Sequence, residues 1–267
     1  MLRVENLSIR YYDHKEFAIK DVSFREDRGL ILFAGKTGSG KSTLARALSG
    51  LIPHVYPAEV KGSISIFGVN PIKSGPLSLK GIVGYLSQNI ELFSFSSTVS
   101  EELLIPLLNV IGDLKEAKRR VREVLNAFRI GNLADKKISE ISSGQRQLVM
   151  LASTLVLDPK VLILDEPLAR LDRKNAIFIA SMLKDISKER LVIVFEHHLD
   201  ELLCLSDKVY VIDKKILASG KPKDVINFLT GVDIPLITEA FICAKCDEVP
   251  LSCEEAADIV RAKGYLV

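Results

Sequence analysis

No apolar run among the 267 residues approaches the ~20 that a membrane-spanning helix requires; the longest, Leu103 to Ile111, is interrupted by Pro106 and Asn109. The sequence therefore predicts no bilayer crossing. Its first residues, Met1-Leu2-Arg3-Val4-Glu5, alternate like a strand and lack the apolar core and small-residue cleavage site of a secretory leader. A cytoplasmic site of action is expected. Cysteine is scarce: Cys204, Cys243, Cys246 and Cys253 are too few for a disulfide scaffold in a chain of this length, which agrees with a reducing compartment. Excess charge is also missing. With 36 basic and 34 acidic side chains the net charge is +2, so no field calls for nucleic acid or an anionic membrane surface, and no nucleic-acid partner is expected. Internal repeats and low-complexity segments are absent as well.

What is present is enough apolar material, 48% of the residues, for a substantial core. Leu2 to Arg10 and Ala18 to Arg25 alternate as half-buried strands, and Leu30 to Ala34 is a continuous apolar run of the buried parallel kind. Helical character follows over Ser42 to Ser49, stopped by Gly50. Strands are expected at Ser63 to Phe67 and Ile82 to Leu86, then a helical region from Asn89 to Met150. Within it Leu114, Ala117, Val121, Val124, Leu125 and Phe128 share one helix face, with Asp113 as N-cap. Lys115, Lys118, Arg119, Arg120 and Arg122 on the other face read as its solvated side. From Val161 strands alternate with helices: strands Val161 to Leu164 and Leu191 to Phe195, helices Lys174 to Ser187 and from Leu199, which implies parallel pairing. A hairpin of Lys208 to Ile212 and Ile216 to Ser219, a helix at Lys223 to Leu229 and a last helix opening at Ser252 complete the chain.

Chemistry concentrates at two strand ends. Gly35-Lys36-Thr37-Gly38-Ser39-Gly40-Lys41-Ser42 fits G-x-x-x-x-G-K-S/T and lies between a buried strand and a helix that includes Thr43. Glycines let backbone N–H groups surround phosphates, Lys41 neutralises β and γ oxygens, and Ser42 offers a hydroxyl to Mg²⁺. Val161 to Leu164 runs into Asp165-Glu166, adjacent carboxylates where an open α/β sheet places its ligands. Asp165 suits a metal shell, and Glu166 suits the orientation and deprotonation of an attacking water.

With these motifs in order, the chain resembles an ABC ATPase. Ile141-Ser142-Ser143-Gly144-Gln145, twenty residues before Asp165, is similar to the family's LSGGQ signature. The resemblance implies a P-loop NTPase (RecA-like) α/β core with an antiparallel β edge and an inserted α-helical subdomain. It implies an ATPase domain over 1–230, with its core in 1–88 and 151–230 and the helices in 89–150, followed by an extension over 231–267. The expected cofactors are ATP and Mg²⁺. Two such domains pair head to tail in the family, so Ser142, Ser143, Gly144 and Gln145 are expected to face nucleotide held by a second ABC ATPase subunit. Ser143 replaces the usual glycine, and either fits beside the phosphate or weakens the half-site. Gln88 resembles the glutamine that contacts Mg²⁺ and water, and His197 the switch histidine that supports Glu166, with His198 as its rival. Asp172 resembles the loop connecting the two sites, and Tyr11 the aromatic that stacks on adenine, with Tyr12 one residue away.

Finer features point to energy-coupling factor importers. Gln88-Asn89-Ile90-Glu91-Leu92-Phe93 resembles that group's Q-N-P-x-x-Q-L-F segment, with Ile90 departing from its proline, Glu196-His197-His198-Leu199-Asp200-Glu201 its E-H-x-L-D-E form, and Gly231-Val232-Asp233-Ile234-Pro235 with Glu254, Glu255 and Ala256 its C-terminal extension. This implies a transmembrane scaffold, a substrate-binding membrane subunit, a vitamin or transition-metal cargo, and a peripheral place on the cytoplasmic face of the membrane. A soluble cluster-assembly ATPase and a nucleotide-gated module with a dead site are the rival readings. Cys243, Cys246 and Cys253 read as ordinary tail cysteines in preference to a zinc site, because a fourth ligand is missing nearby.

Overall fold

The computed structural model describes residues 1–89, 98–229, 232–243 and 248–262. Its nine strands in the described residues are β1 (Leu2–Tyr11), β2 (Ile19–Glu26), β3 (Gly29–Ala34), β4 (Ala58–Ile66), β5 (Val83–Leu86), β6 (Val161–Asp165), β7 (Leu191–Glu196), β8 (Lys208–Asp213) and β9 (Lys215–Gly220). Helices are α1 (Lys41–Leu48), α2 (Pro71–Ser74), α3 (Val99–Ile111), α4 (Leu114–Ala127), α5 (Ser143–Leu155), α6 (Arg173–Ser187), α7 (Pro222–Val225), α8 (Leu236–Cys243) and α9 (Cys253–Ala262).

The main sheet runs β5-β6-β7-β3-β8-β9, parallel except for the β8–β9 hairpin. Its strands are apolar on both faces because both faces are covered. Leu30, Leu32, Leu162, Leu164, Val192 and Val194 enter one core with α4, α5 and α6, whereas Ile31, Phe33, Val161, Ile163, Ile193 and Phe195 enter a second with α1 and the small sheet. That small sheet, β2-β1-β4, is antiparallel throughout. The expected α/β P-loop fold with an antiparallel edge is therefore the one found. No helix among the described residues is long and apolar enough to cross a membrane.

The helices between β5 and β6 carry clear local signals. Thr98 and Glu101 form a reciprocal cap at the start of α3, and Asp113 caps α4 through the N–H groups of Lys115 and Glu116. On the exposed face of α4, Arg119 pairs with both Glu116 and Glu123. Pro106, which interrupts the apolar run in the sequence, does not end α3. A proline withholds the N–H that would reach the carbonyl four residues back, and here the Ser153 hydroxyl of α5 donates to the Glu102 carbonyl at 3.2 Å. Ser153→Ala removes that donor and is expected to destabilise the fold by about 1 kcal/mol, read from the midpoint of a urea transition at constant slope.

Several expectations are corrected. The helix expected from Leu199 is absent: Asp200 to Leu205 form turns, with bonds from Leu202 and Leu203 N–H both to the Leu199 carbonyl. Bonds four residues back, Leu203 N–H to the Leu199 carbonyl and Ser206 N–H to the Leu202 carbonyl, are interspersed with bonds three residues back, so the consecutive ladder that makes an α-helix does not form, and Leu199 N–H bonds the Asp233 carbonyl. The strand expected at Ser63 to Phe67 begins earlier, at Ala58, because β1 pairs along its whole length. Pro222 to Val225 is one helical turn continued by a 3-10 turn, and Leu236–Cys243 is a helix the periodicity did not indicate. The helix opening at Ser252 is found as α9, with the Ser252 hydroxyl accepting from Glu255 N–H. Of the tail cysteines, Cys253 is exposed and free, while Cys246 and the Cys243 side chain lie outside the described residues. Residues 90–93 of the segment after Gln88, and Gly231, also lie outside them.

Candidate nucleotide site

Parallel pairing brings four strand ends to one edge. Ala34 stands beside Glu196, Phe195 beside Asp165, and Leu164 beside Leu86, so the residues that follow, Gly35, His197, Glu166 and Gln88, line a common crevice.

The loop after β3 is built around close backbone approaches. A Cβ on Gly35 would lie 2.3 Å from the Ile212 carbonyl, and one on Gly40, at φ +97°, would lie 2.4 Å from Ile19 Cγ2 and 2.7 Å from the Ala18 carbonyl. Only glycine fits either position. Lys36, Thr37 and Gly38 form the exposed rim, while Ser39 is buried beneath it, anchored by Lys214 N–H on its carbonyl at 2.8 Å. Lys41, at the start of α1, is buried and donates from Nζ to the Gly35 and Lys36 carbonyls at 2.5 and 2.9 Å. Burial pushes its ammonium pKa down, opposed by the carboxylates of Glu166, Asp165 and Glu196. A cation already desolvated and aimed along a glycine loop is suited to phosphate oxygens.

Asp165 is 1% exposed, and its Oδ1 has no hydrogen-bond partner. Burial pushes the carboxyl up to about 6, against the lowering effect of the Ser42 hydroxyl. An unsatisfied buried carboxylate beside a hydroxyl is a donor set fitting a hard divalent cation. Glu166 follows with φ +52°, a left-handed conformation that costs a non-glycine residue about 1 kcal/mol. It is held there by its N–H on the Phe195 carbonyl at 3.0 Å and by Gln147 Nε2, which donates to the Pro167 carbonyl at 2.8 Å. The strained backbone turns the carboxylate between two partners: Gln88 Nε2 donates to Oε2 at 2.7 Å, and His197 Nδ1 lies 3.1 Å from Oε1, off the line of a hydrogen bond.

Glu196, met in the sequence only as part of the E-H-x-L-D-E segment, and Gln147, not named there, both join the site. Glu196 is 1% exposed; its Oε1 accepts from Leu168 N–H at 3.3 Å and its Oε2 from His197 N–H at 3.2 Å. It ends an apolar strand as Asp165 does, and that signal could have found it. Burial pushes its carboxyl up to about 8, with the backbone donors opposing and Glu166 adding to the rise. Because the native form then holds a proton that the unfolded chain releases, stability is expected to fall as pH rises from about 4.5 to about 8, and to level off outside that window. Glu196→Gln is expected to flatten this slope, checked by thermal unfolding of the nucleotide-free protein across that range.

Tyr11 rather than Tyr12 borders the loop. Its hydroxyl donates to Thr43 Oγ1 at 3.3 Å and accepts from Arg46 Nη1 at 3.4 Å, whereas Tyr12 is 75% exposed. The segment Ser142 to Gln145 lies elsewhere: Ser142 Oγ accepts from Gln145 N–H at 3.2 Å, Gln145 Oε1 accepts from Ser142 N–H at 3.0 Å, and among the described residues no hydrogen bond or ion pair joins them to the loop at 35–42. Gly144 sits against the Arg170 carbonyl, which a Cβ would approach to 3.0 Å. Ser143 is exposed in the first turn of α5 with no left-handed strain, so serine fits its own chain. Asp172 caps α6, accepting from Asn175 N–H at 2.9 Å, and that bond holds its carboxyl below the usual range.

The ABC transporter family model matches residues 19–169. A protein of Pyrococcus horikoshii assigned as an ABC transporter ATP-binding protein is 34% identical over 249 residues, 91% of this chain and 88% of that one. A longer relative so assigned, from Methanosarcina mazei, is 34% identical over 88% of this chain and 48% of its own length. Among solved structures, cbiO1 from Clostridium perfringens, part of the ABC transporter complex cbiONQ, matches with a TM-score of 0.74 at 28% identity, over 90% of this chain and 94% of that one. The dimeric ATP-binding cassette MJ0796 in a post-hydrolysis state bound to ADP and Pi shares the fold, with a TM-score of 0.74 at 22% identity over 83% of this chain and 99% of that one. The chain therefore belongs to the ABC transporter ATP-binding family and is an ATPase of it.

Proposed function

We propose that the chain powers a membrane importer of the energy-coupling factor type, carrying a vitamin or a transition-metal ion, as one half of a head-to-tail ATPase pair. The observation that carries the reading is the bracketing of Glu166 between Gln88 and His197, on a chain 28% identical to cbiO1 over 90% of its length. In this reading residues 35–43 bind the triphosphate and Tyr11 stacks on adenine. Glu166 takes a proton from water at Oε1 while Gln88 holds Oε2, and His197 steadies the carboxylate. Ser42, Asp165 and Gln88 would hold Mg²⁺, which when bound neutralises charge on the phosphates. Asp172 and the residues 142–145 face a second ABC ATPase subunit, identical or a sibling; Ser142 and the N–H groups at the start of α5 meet the partner's nucleotide.

The ATPase unit is taken as 1–230, with its helical part in 89–150 gripping a transmembrane scaffold that carries a substrate-binding membrane subunit. Residues 231–267 form the extension. This places the protein peripherally on the cytoplasmic face of the membrane. A tagged full-length chain, extracted from its own cells in mild detergent, is expected to bring a multi-span membrane protein with it. Recovery of the whole pool as a soluble monomer would overturn the importer reading.

A further inference from the structure

Beyond β7 the chain is met by a segment from far along the sequence. Asp233 N–H donates to the His197 carbonyl at 3.0 Å, and Leu199 N–H donates to the Asp233 carbonyl at 2.8 Å, making a parallel bridge between His198 and Asp233. The side chains repeat the contact: Asp233 Oδ2 lies 2.6 Å from His198 Nδ1. The His198 ring lies 4.0 Å from the His197 ring, centre to centre and tilted by 45°. On either side of Asp233, Val232 and Ile234 pack into the core that holds Leu199, Leu202 and Leu203.

His197 is thus fixed from three directions. Its N–H is bonded to Glu196, its carbonyl to Asp233, and its ring is backed by His198, whose orientation Asp233 sets. A ring so backed keeps Nδ1 at the Glu166 carboxylate. Both His198 and Asp233 are more than half exposed, which makes the pair weak as a contribution to stability and leaves orientation as its main effect.

We propose that Asp233 is a positioning residue for His197, so that the seating of the segment Val232 to Ile234 sets the rate of ATP hydrolysis without setting nucleotide affinity. The inference rests on the reading of His197 as the histidine that steadies Glu166. It makes the start of the C-terminal segment a place where displacement by any partner slows turnover while ATP stays bound.

The test is steady-state phosphate release by the full-length chain in its assembled ATPase pair at saturating Mg-ATP, beside equilibrium binding of a fluorescent ATP analogue. Asp233→Ala is expected to lower kcat about five- to tenfold with KM and analogue affinity changed less than about twofold. Asp233→Asn keeps an oxygen facing His198 Nδ1 and is expected to recover most of the loss. His198→Ala is expected to match Asp233→Ala, and the double variant to be no worse than either, as for two parts of one contact. Wild-type kcat in Asp233→Ala, or equal losses in binding and kcat, would overturn the proposal. His197→Ala separates the two readings: inactive His197→Ala beside a fully active Asp233→Ala sinks only the role of Asp233, whereas an active His197→Ala sinks the role of His197 itself.

Discussion

Glu166→Gln is expected to leave ATP bound and to lower its turnover about 10³-fold, within the range ascribed to a positioned general base. The amide occupies the volume of the carboxylate and keeps an oxygen for Gln88 Nε2, which donates at 2.7 Å in the native protein. What it cannot do is take a proton. The left-handed backbone at this residue is held by the Phe195 carbonyl and by Gln147 acting on Pro167, none of which involves the side chain, so the variant should fold normally. Phosphate release under saturating ATP, measured beside binding of a fluorescent analogue, decides the matter. Equal turnover in both proteins would remove Glu166 from the role of base.

Lys41→Met should act at the opposite end of the reaction, weakening ATP binding about 100-fold. The ammonium is poised at the carbonyls of Gly35 and Lys36. Two charge-assisted hydrogen bonds to phosphate oxygens, at about 1.5 kcal/mol each, correspond to about that factor. Methionine matches the stem but donates nothing. The bonds that shape the loop, Ser39 N–H to the Lys36 carbonyl and Lys214 N–H to the Ser39 carbonyl, remain, and an unchanged far-ultraviolet dichroism spectrum would show it. Isothermal titration with ATP reads the affinity; a change of less than about threefold would contradict phosphate contact by Lys41.

The two variants separate binding from chemistry because their residues come from different strands. Lys41 opens the helix after β3, and Glu166 follows β6, with β7 lying between those strands in the sheet. His197 extends that middle strand, which is why it reaches Glu166, and Glu196 stands beside Ala34 at the root of the phosphate loop. Burial pushes that carboxyl up to about 8, which lessens the negative charge it sets against incoming phosphates.

Much of this was readable along the chain because it is local. A glycine loop between a buried strand and a helix is one contiguous turn, a cap such as Asp113 or Ser252 acts within three residues, and a strand buried on both faces announces itself by an unbroken apolar run. The expected helix after Leu199 gives way to turns because bonds three residues back, Leu202 to Leu199 and Leu205 to Leu202, interrupt the ladder of bonds four residues back, while Asp233, thirty-four residues away, takes the Leu199 N–H. Pro106 interrupts the apolar run yet sits inside α3, where the Ser153 hydroxyl that serves the Glu102 carbonyl arrives from another helix, a partner no local pattern shows.

Sequence alone determined the glycine loop at 35–42, the two carboxylates after Val161 to Leu164, and the order of motifs that placed the chain in its family, since each depends on neighbours in the chain. Tertiary structure alone decided which nitrogen faces Glu166, that Glu196 is buried between a loop and a histidine, that Gln147 secures the turn after β6, and that Asp233 reaches back to His197. Those relations depend on strand register and on the packing of distant segments, and an exposed aspartate in a tail carries no periodicity or spacing that would reveal its partner.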